Sequence, residues 1–187
     1  MSDLIPEFTA EGLLPPGDYA VTFAALKESV LVKGPADKTN VPNWDAGWRL
    51  WLVEQLEMMA TQLWQVGVDS IFVDGSFAED KEHPNDIDGY FECDRMRFVT
   101  GDLAAELNLI DPQKVWTWNH AMRRPYPGYP KKQLPMWHTY RVELYPHFAG
   151  LGSGIRDKHG NELEFPAAFR QSRRDSKPKG IIRLEKP

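Results

Sequence analysis

Cysteine is almost missing from this chain. Cys93 is the only one in 187 residues, so no internal disulfide can form and no cysteine-rich zinc site can be built. There is also no run of about 18 apolar residues and no basic-then-apolar leader after Met1. A chain of this kind is expected to have no membrane span and no signal peptide, and to reside in the cytoplasm. Positive charge is scarce as well: 22 Lys and Arg face 27 Asp and Glu, for a formal net charge of -5. That balance argues against broad, nonspecific attraction to nucleic acid and leaves only local basic patches as contacts. Neither a Gly-x-Ser-x-Gly elbow nor a P-loop occurs. The five histidines, His83, His120, His138, His147 and His159, lie in separate segments without the paired spacing of a zinc helix.

What the chain does have is one dense stretch, Gly75-Ser76-Phe77-Ala78-Glu79-Asp80-Lys81-Glu82-His83-Pro84-Asn85-Asp86-Ile87-Asp88. The apolar run Ile71-Phe72-Val73 leads into it, and Ile87 through Phe91 leads out. The pattern predicts a strand, a phosphate-accepting turn, then a second strand carrying carboxylates. Side chains alternate along a strand, so Asp86 and Asp88 point the same way and can share a divalent cation. Gly75 lets the backbone turn sharply beside an anion, and Ser76 offers a hydroxyl and its own N–H. Lys81 adds a charge for the phosphates. Asp74, Glu79, Asp80 and Glu82 make the surroundings acidic, so a triphosphate would need a metal ion to approach. The competing reading is a plain Gly-Ser turn followed by solvated aspartates, since Asn, Asp and Pro are ordinary turn residues.

At these residues the sequence resembles the nucleotidyltransferase superfamily of the DNA polymerase β type, whose signature is Gly-Ser, about ten residues, then Asp-x-Asp. Gly75-Ser76-Phe77 with Lys81 and Pro84-Asn85-Asp86-Ile87-Asp88 is similar to a family of small stand-alone prokaryotic proteins of that type. The likeness extends to Leu14-Pro15-Pro16-Gly17 and to Phe169-Arg170-Gln171 through Lys179-Gly180-Ile181. It implies an α/β (α+β) fold with a mixed, mostly antiparallel sheet and helices chiefly on one face. It also implies Mg²⁺ or Mn²⁺ at the aspartates, a nucleoside triphosphate such as ATP as substrate, and a short helix after the Gly-Ser.

The rest of the chain is read around that centre. One domain is expected, with residues 1–43 as an N-terminal arm and short helix, 44–66 as a long helix, and 68–187 as the sheet region. Residues 1–13 read as a tether, and Thr22 caps a short helix from Phe23 to Leu31. Asn43 is placed to cap the long helix, whose Trp48, Leu52, Leu56, Met59 and Leu63 recur at spacings of three and four. Its tryptophans read as core rather than as a base-stacking surface, and Arg49 and Glu54 as ordinary solvated helix charges unless the fold turns them inward. Strands are expected at Val68–Asp74, Ile87–Glu92, Val115–Trp118, Thr139–His147 and Gly180–Leu184. Helices are expected within 95–109, with Leu103, Leu107 and Leu109 inward, and at Phe165–Gln171.

Two further stretches bear on function. Glu143 shares a strand face with Arg141 and Tyr145, and a neighbouring position beside the Asp86 strand would add a third carboxylate at about one strand spacing. The superfamily more often has aspartate there, and glutamate changes the reach. Alternatively Glu143 pairs with Arg141 or a lysine. Arg170, Arg173, Arg174, Lys177 and Lys179 concentrate charge near the C-terminal strand, with Arg174 and Lys179 as the phosphate clamp. Arg123, Arg124, Lys131 and Lys132, interleaved with Tyr126 and Tyr129, read equally as a phosphate grip and as a surface loop.

The reading that follows is a metal-dependent nucleotidyltransferase. Asp86, Asp88 and Glu143 would be catalytic and metal-binding, and Gly75, Ser76, Lys81, Arg174 and Lys179 would hold phosphates. The acceptor is an RNA end, a protein side chain or a small molecule. The alternative keeps the fold without the chemistry: a nucleotide-sensing or partner-binding module of a toxin-antitoxin or phage-defence system, with a partner protein.

Overall fold

The computed structural model describes residues 5–187. Strand β1 (Asp18–Val21) comes first and is followed by the helices α1 (Phe23–Glu28), α2 (Val30–Lys33) and α3 (Ala46–Gln65). Thr22 caps α1, its hydroxyl oxygen accepting from the Ala25 N–H. Ser29 then goes extended, so the single helix expected to Leu31 becomes two. In α3 the residues Leu52, Leu56, Met59 and Leu63 are buried, as their spacing requires. The cap, however, is Asp45 and not Asn43: Asp45 Oδ1 accepts from Trp48 N at 2.9 Å. Asn43 is held elsewhere, its N–H donating to Glu82 Oε1 at 2.5 Å. The start of α3 is therefore tied to the motif loop.

Five strands form the main sheet: β1 (Asp18–Val21), β2 (Ile71–Asp74), β3 (Ile87–Glu92), β4 (Val142–His147) and β7 (Ile181–Leu184). Their order is β1-β7-β2-β3-β4. β7 lies parallel to β1 and antiparallel to β2, while β3 is antiparallel to β2 and parallel to β4. β5 (Gly152–Arg156) and β6 (Glu162–Glu164) make a separate antiparallel hairpin. Mixed α+β structure, with antiparallel pairings outnumbering parallel ones, is what the sequence led one to expect.

The two faces of the main sheet are covered differently. On one, Ile71, Val73, Ile87, Phe91, Val142 and Leu144 pack against α1 to α3, α5 (Asp102–Ile110) and α6 (Pro135–Tyr140) in the principal core. On the other, Tyr90 and Ile181 pack with Phe165, Ala168 and Phe169 around the short α7 (Phe165–Ala168). Helices thus lie chiefly on one face. No helix among the described residues is long and apolar enough to cross a membrane.

Several local expectations are corrected. Residues 5–13 are no loose tether: Ile5 and Leu13 are buried, Leu13 bridges to Glu79, and the Asp80 N–H donates to the Gly12 carbonyl at 2.9 Å. Residues 1–4 of the expected tether lie outside the described residues. β1 was not anticipated. The helix expected over 95–109 is split at Gly101 into α4 (Arg95–Val99) and α5, and Leu109 is 86% exposed rather than inward. Val115–Trp118 is not a strand, although Val115 and Trp116 are buried. Thr139 and Tyr140 belong to α6, which ends where Arg141 takes a left-handed conformation at φ 54°. The Arg141 guanidinium then stacks over Trp137 at 3.9 Å instead of joining the strand face.

Candidate functional site

The motif is positioned by the backbone between β2 and β3. β2 ends at Asp74, and Gly75–Ala78 make one 3-10 turn in place of the expected short helix. Gly75 sits at φ 75°, and a Cβ there would come within 2.9 Å of Asp88 Oδ2. The turn therefore lies directly against the Asp88 carboxylate, and only glycine permits that approach. β3 occupies Ile87–Glu92, the span expected for it.

Strand register then lines up acidic residues. Asp74 is opposite Asp88 across β2 and β3, and Asp88 is opposite Glu143 across β3 and β4. Residues paired in register share a face, so Asp74, Asp88 and Glu143 form a row across three strands, with Asp86 one pleat before Asp88. Burial and the neighbouring Asp86 push the Asp88 carboxyl up to about 8. Burial raises Asp86 as well, against the hydrogen bond it accepts from Trp137 Nε1 at 2.7 Å. Glu143 is engaged on its own strand side: Oε1 accepts from Leu134 N at 2.9 Å, and Oε2 accepts from the Tyr145 hydroxyl. Arg123 Nη1 stands 3.5 Å from Oε1. The partner of Glu143 is thus Arg123, not Arg141 or a lysine.

The basic residues separate by role. Lys179 is buried and presents no free ammonium: its Nζ lies 3.0 Å from Asp74 Oδ1 and 2.8 Å from Glu79 Oε1, and donates to the Gly75 carbonyl at 3.1 Å. It braces the turn from beneath. Even with that partner, burial takes Asp74 up to about 7. Arg174 is exposed and lies 3.6 Å from Glu79. Arg170 forks onto Asp18 at 3.1 and 2.7 Å, and Lys177 pairs with Glu11. Lys81 is exposed.

Arg49 is the clearest residue that sequence reasoning misread. It is buried within α3, and its guanidinium donates to four carbonyls: Leu31 at 2.6 Å, Phe77 at 2.8 Å, Glu79 at 3.0 Å and Lys81 at 2.6 Å. Three of those acceptors belong to the motif loop. Burial lowers Arg49 to about 9, which leaves it charged at neutral pH. The helical position of Arg49, between Trp48 and Leu52 on an apolar stripe, was the available signal.

Two cavities meet at this site. The first, about 470 Å³, is lined by Gly75, Ser76, Lys81, Asp88, Arg174 and Lys179 among others. The second, about 870 Å³, is lined by Asp86, Asp88 and Glu143 and by Arg123, Lys131 and Lys132 among others. Asp88, Phe169 and Arg173 line both. Each of the eight residues selected from the sequence lines one or the other of these two cavities, and Asp88 lines both.

Residues 6–185 match the family of unknown function DUF6932. The chain belongs to that family. No curated protein and no solved structure matches this DUF6932 chain.

Among the described residues, no three His, Cys, Asp or Glu side chains converge as a preformed metal cage. Asp86 is turned toward Trp137 and Glu143 toward Leu134 and Tyr145. The donor chemistry still fits a hard divalent cation, because Asp86 and Asp88 are crowded, half-buried carboxylates and oxygen donors suit Mg²⁺ or Mn²⁺. Asp86 and Asp88 are the residues that could hold it, with Glu143 beside them.

Proposed function

We propose that this DUF6932 chain is a metal-dependent nucleotidyltransferase that moves a nucleoside monophosphate from a nucleoside triphosphate to an acceptor. The observation that carries the reading is the placement of Gly75 against Asp88, with Glu143 in register on the next strand. The Gly75 turn and Asp88 line one cavity, and Asp86 and Glu143 line the neighbouring cavity that shares Asp88 with it. Asp86 and Asp88 would hold a divalent cation, which supplies positive charge at the transferring phosphate and acidifies the attacking hydroxyl.

The chain's own residues position the reactants. Gly75 and Ser76 offer backbone N–H groups and a hydroxyl to the β and γ phosphates, and Arg173 and Arg174, which line the same cavity, offer guanidinium forks. The acceptor oxygen forms a bond to the α phosphorus as the α–β bridging P–O bond breaks. Pyrophosphate leaves with that electron pair, and the hydroxyl proton passes to solvent. Lys179 and Arg49 keep the turn in place from behind.

The test uses triphosphates labelled at the α phosphate, with Mg²⁺, against RNA, protein and small-molecule acceptors. Label should enter an acceptor with wild type and not with Asp86→Asn/Asp88→Asn. Transfer retained in that double variant sinks the assignment. A second reading, a nucleotide-sensing or partner-binding module, draws support from Glu143, whose oxygens already have protein partners. It expects triphosphate binding without transfer and a partner protein at one-to-one stoichiometry on purification.

A further inference from the structure

Glu143 stands opposite Asp88 in register, but its carboxylate is engaged elsewhere. Oε1 accepts from Leu134 N at 2.9 Å with Arg123 Nη1 3.5 Å away, and Oε2 accepts from the Tyr145 hydroxyl. The side chain is only 6% exposed, so a partner given up is poorly replaced by water. Turning the carboxylate toward a cation would leave the Leu134 N–H, on a residue 1% exposed, without its acceptor. It would also bring a divalent charge up to the Arg123 guanidinium, which repels it. Asp86 and Asp88 are placed otherwise. Both are half-buried, and they are like charges beside each other, which a cation between them relieves.

The bonds of Glu143 converge on the segment that carries Trp137. Leu134 is the residue before α6, and within the first turn of that helix Trp137 donates to Asp86 Oδ2 at 2.7 Å. Arg123 extends the same anchor: its Nη1 donates to the Lys132 carbonyl at 3.1 Å and its Nη2 to the Tyr145 hydroxyl at 3.2 Å. A path of bonded groups thus runs from Glu143 through Leu134 and the start of α6 to Asp86. We propose that Glu143 is not a ligand of the cation but a positioning residue, which fixes the start of α6 so that Trp137 holds Asp86. The cation is then held by Asp86 and Asp88 without it. This rests on the reading of those two aspartates as a cation site. Outer partners of this kind orient a ligating carboxylate, and their loss weakens metal binding by about 10- to 100-fold.

The test is Mn²⁺ binding to metal-free protein without nucleotide, followed by the electron paramagnetic resonance of free Mn²⁺. Wild type is compared with Glu143→Gln, Glu143→Asp and Trp137→Phe. Exchange of the Trp137 indole N–H is read by NMR in parallel, its resonance being the one missing from Trp137→Phe. Glutamine keeps a carbonyl oxygen at the place of Oε1 and still accepts from Leu134 N, whereas aspartate keeps the charge but is one methylene short. A positioning role therefore leaves Mn²⁺ affinity in Glu143→Gln within about threefold of wild type and weakens it about tenfold in Glu143→Asp and Trp137→Phe. The indole N–H should exchange faster in Glu143→Asp and at the wild-type rate in Glu143→Gln. A ligand role reverses the order, since a carboxylate at 143 retains Mn²⁺ and an amide loses it. That order overturns the proposal, as does a loss of about tenfold or more in Glu143→Gln, or equal affinity in all four proteins. Absence of Mn²⁺ binding by wild type refutes the cation reading beneath it. Indole exchange then decides the anchor by itself, and an unchanged rate in Glu143→Asp refutes that too.

Discussion

Arg49 Nη1 donates to the Phe77 carbonyl at 2.8 Å, joining the first turn of the core helix to the turn that faces Asp88. The other bonds of the same guanidinium go to Leu31, Glu79 and Lys81, so one side chain fixes both the end of α2 and the motif loop. Trp44 covers it, with its ring 3.9 Å from the Arg49 guanidinium carbon.

Arg49→Met keeps the apolar stem and removes every donor. The carbonyls left behind lose their partners, at a cost of about 3 kcal/mol or more. At this chain length that lowers the thermal midpoint by about 6 to 12 °C. Arg49→Lys should recover only part of the loss, because one ammonium lacks the planar fork. Thermal denaturation of the two variants checks this, and a midpoint within 2 °C of wild type for Arg49→Met would refute it, on the same scale.

The pH dependence of stability should follow Asp88. Its carboxyl titrates at about 8 in the folded chain against an ordinary 3.8, because burial and Asp86 disfavour the charge. The folded state then binds more protons than the unfolded state between those values, so stability falls as pH rises from about 4 to about 8. Asp86 and Asp74 are shifted in the same direction. Urea midpoints of metal-free protein should therefore be higher at pH 5 than at pH 8, and Asp88→Asn should shrink that difference. A difference of the opposite sign would refute the account.

Lys179→Met should be worse than its small size suggests. It strands Asp74 and Glu79, both of which lie within 3.0 Å of the ammonium, and breaking a buried pair on one side costs about 3 to 5 kcal/mol. Asp74→Asn added to Lys179→Met should return part of that loss. Two equilibrium denaturation curves decide it: if the double variant is less stable than the single one, the pairing argument fails.

Cys93 should be slow toward thiol reagents. It is half-buried, and burial pushes its thiol up from 9.0 to about 11. Two units correspond to about a hundredfold less thiolate, the reactive form. Modification by a disulfide reagent at pH 7.5 should be at least that much slower in folded than in unfolded protein.

The sequence made the local parts of the site readable. Asp86, Asp88 and the span of β3 follow from alternation and turn chemistry, which act within a few residues. The placement of Glu143 beside Asp88 was also accessible, because the alternation that buries Val142 and Leu144 turns Glu143 to the other face. What stayed hidden depends on partners far along the chain. Lys179 looks like a free clamp until Asp74 and Glu79 are brought to it, and Arg49 looks solvated until the motif loop folds over it. Trp137, which donates to Asp86, was invisible for the same reason. β1 escaped notice because it is four residues long and gains its partner only from β7.

β7 lies between β1 and β2, yet it is made long after both. During synthesis the ribosome releases β1 and β2 with a gap where Ile181 to Leu184 will sit, and the two strands cannot bond to each other in the native register without it. The chain must hold its helices and its nascent sheet in readiness while two strand edges stay open, a period in which edge-to-edge association with other chains competes with folding. Completion of the sheet and completion of the first cavity are then one event, because the segment that delivers β7 also delivers Arg173, Arg174 and Lys179. Nascent chains short of residue 184 are expected to have neither.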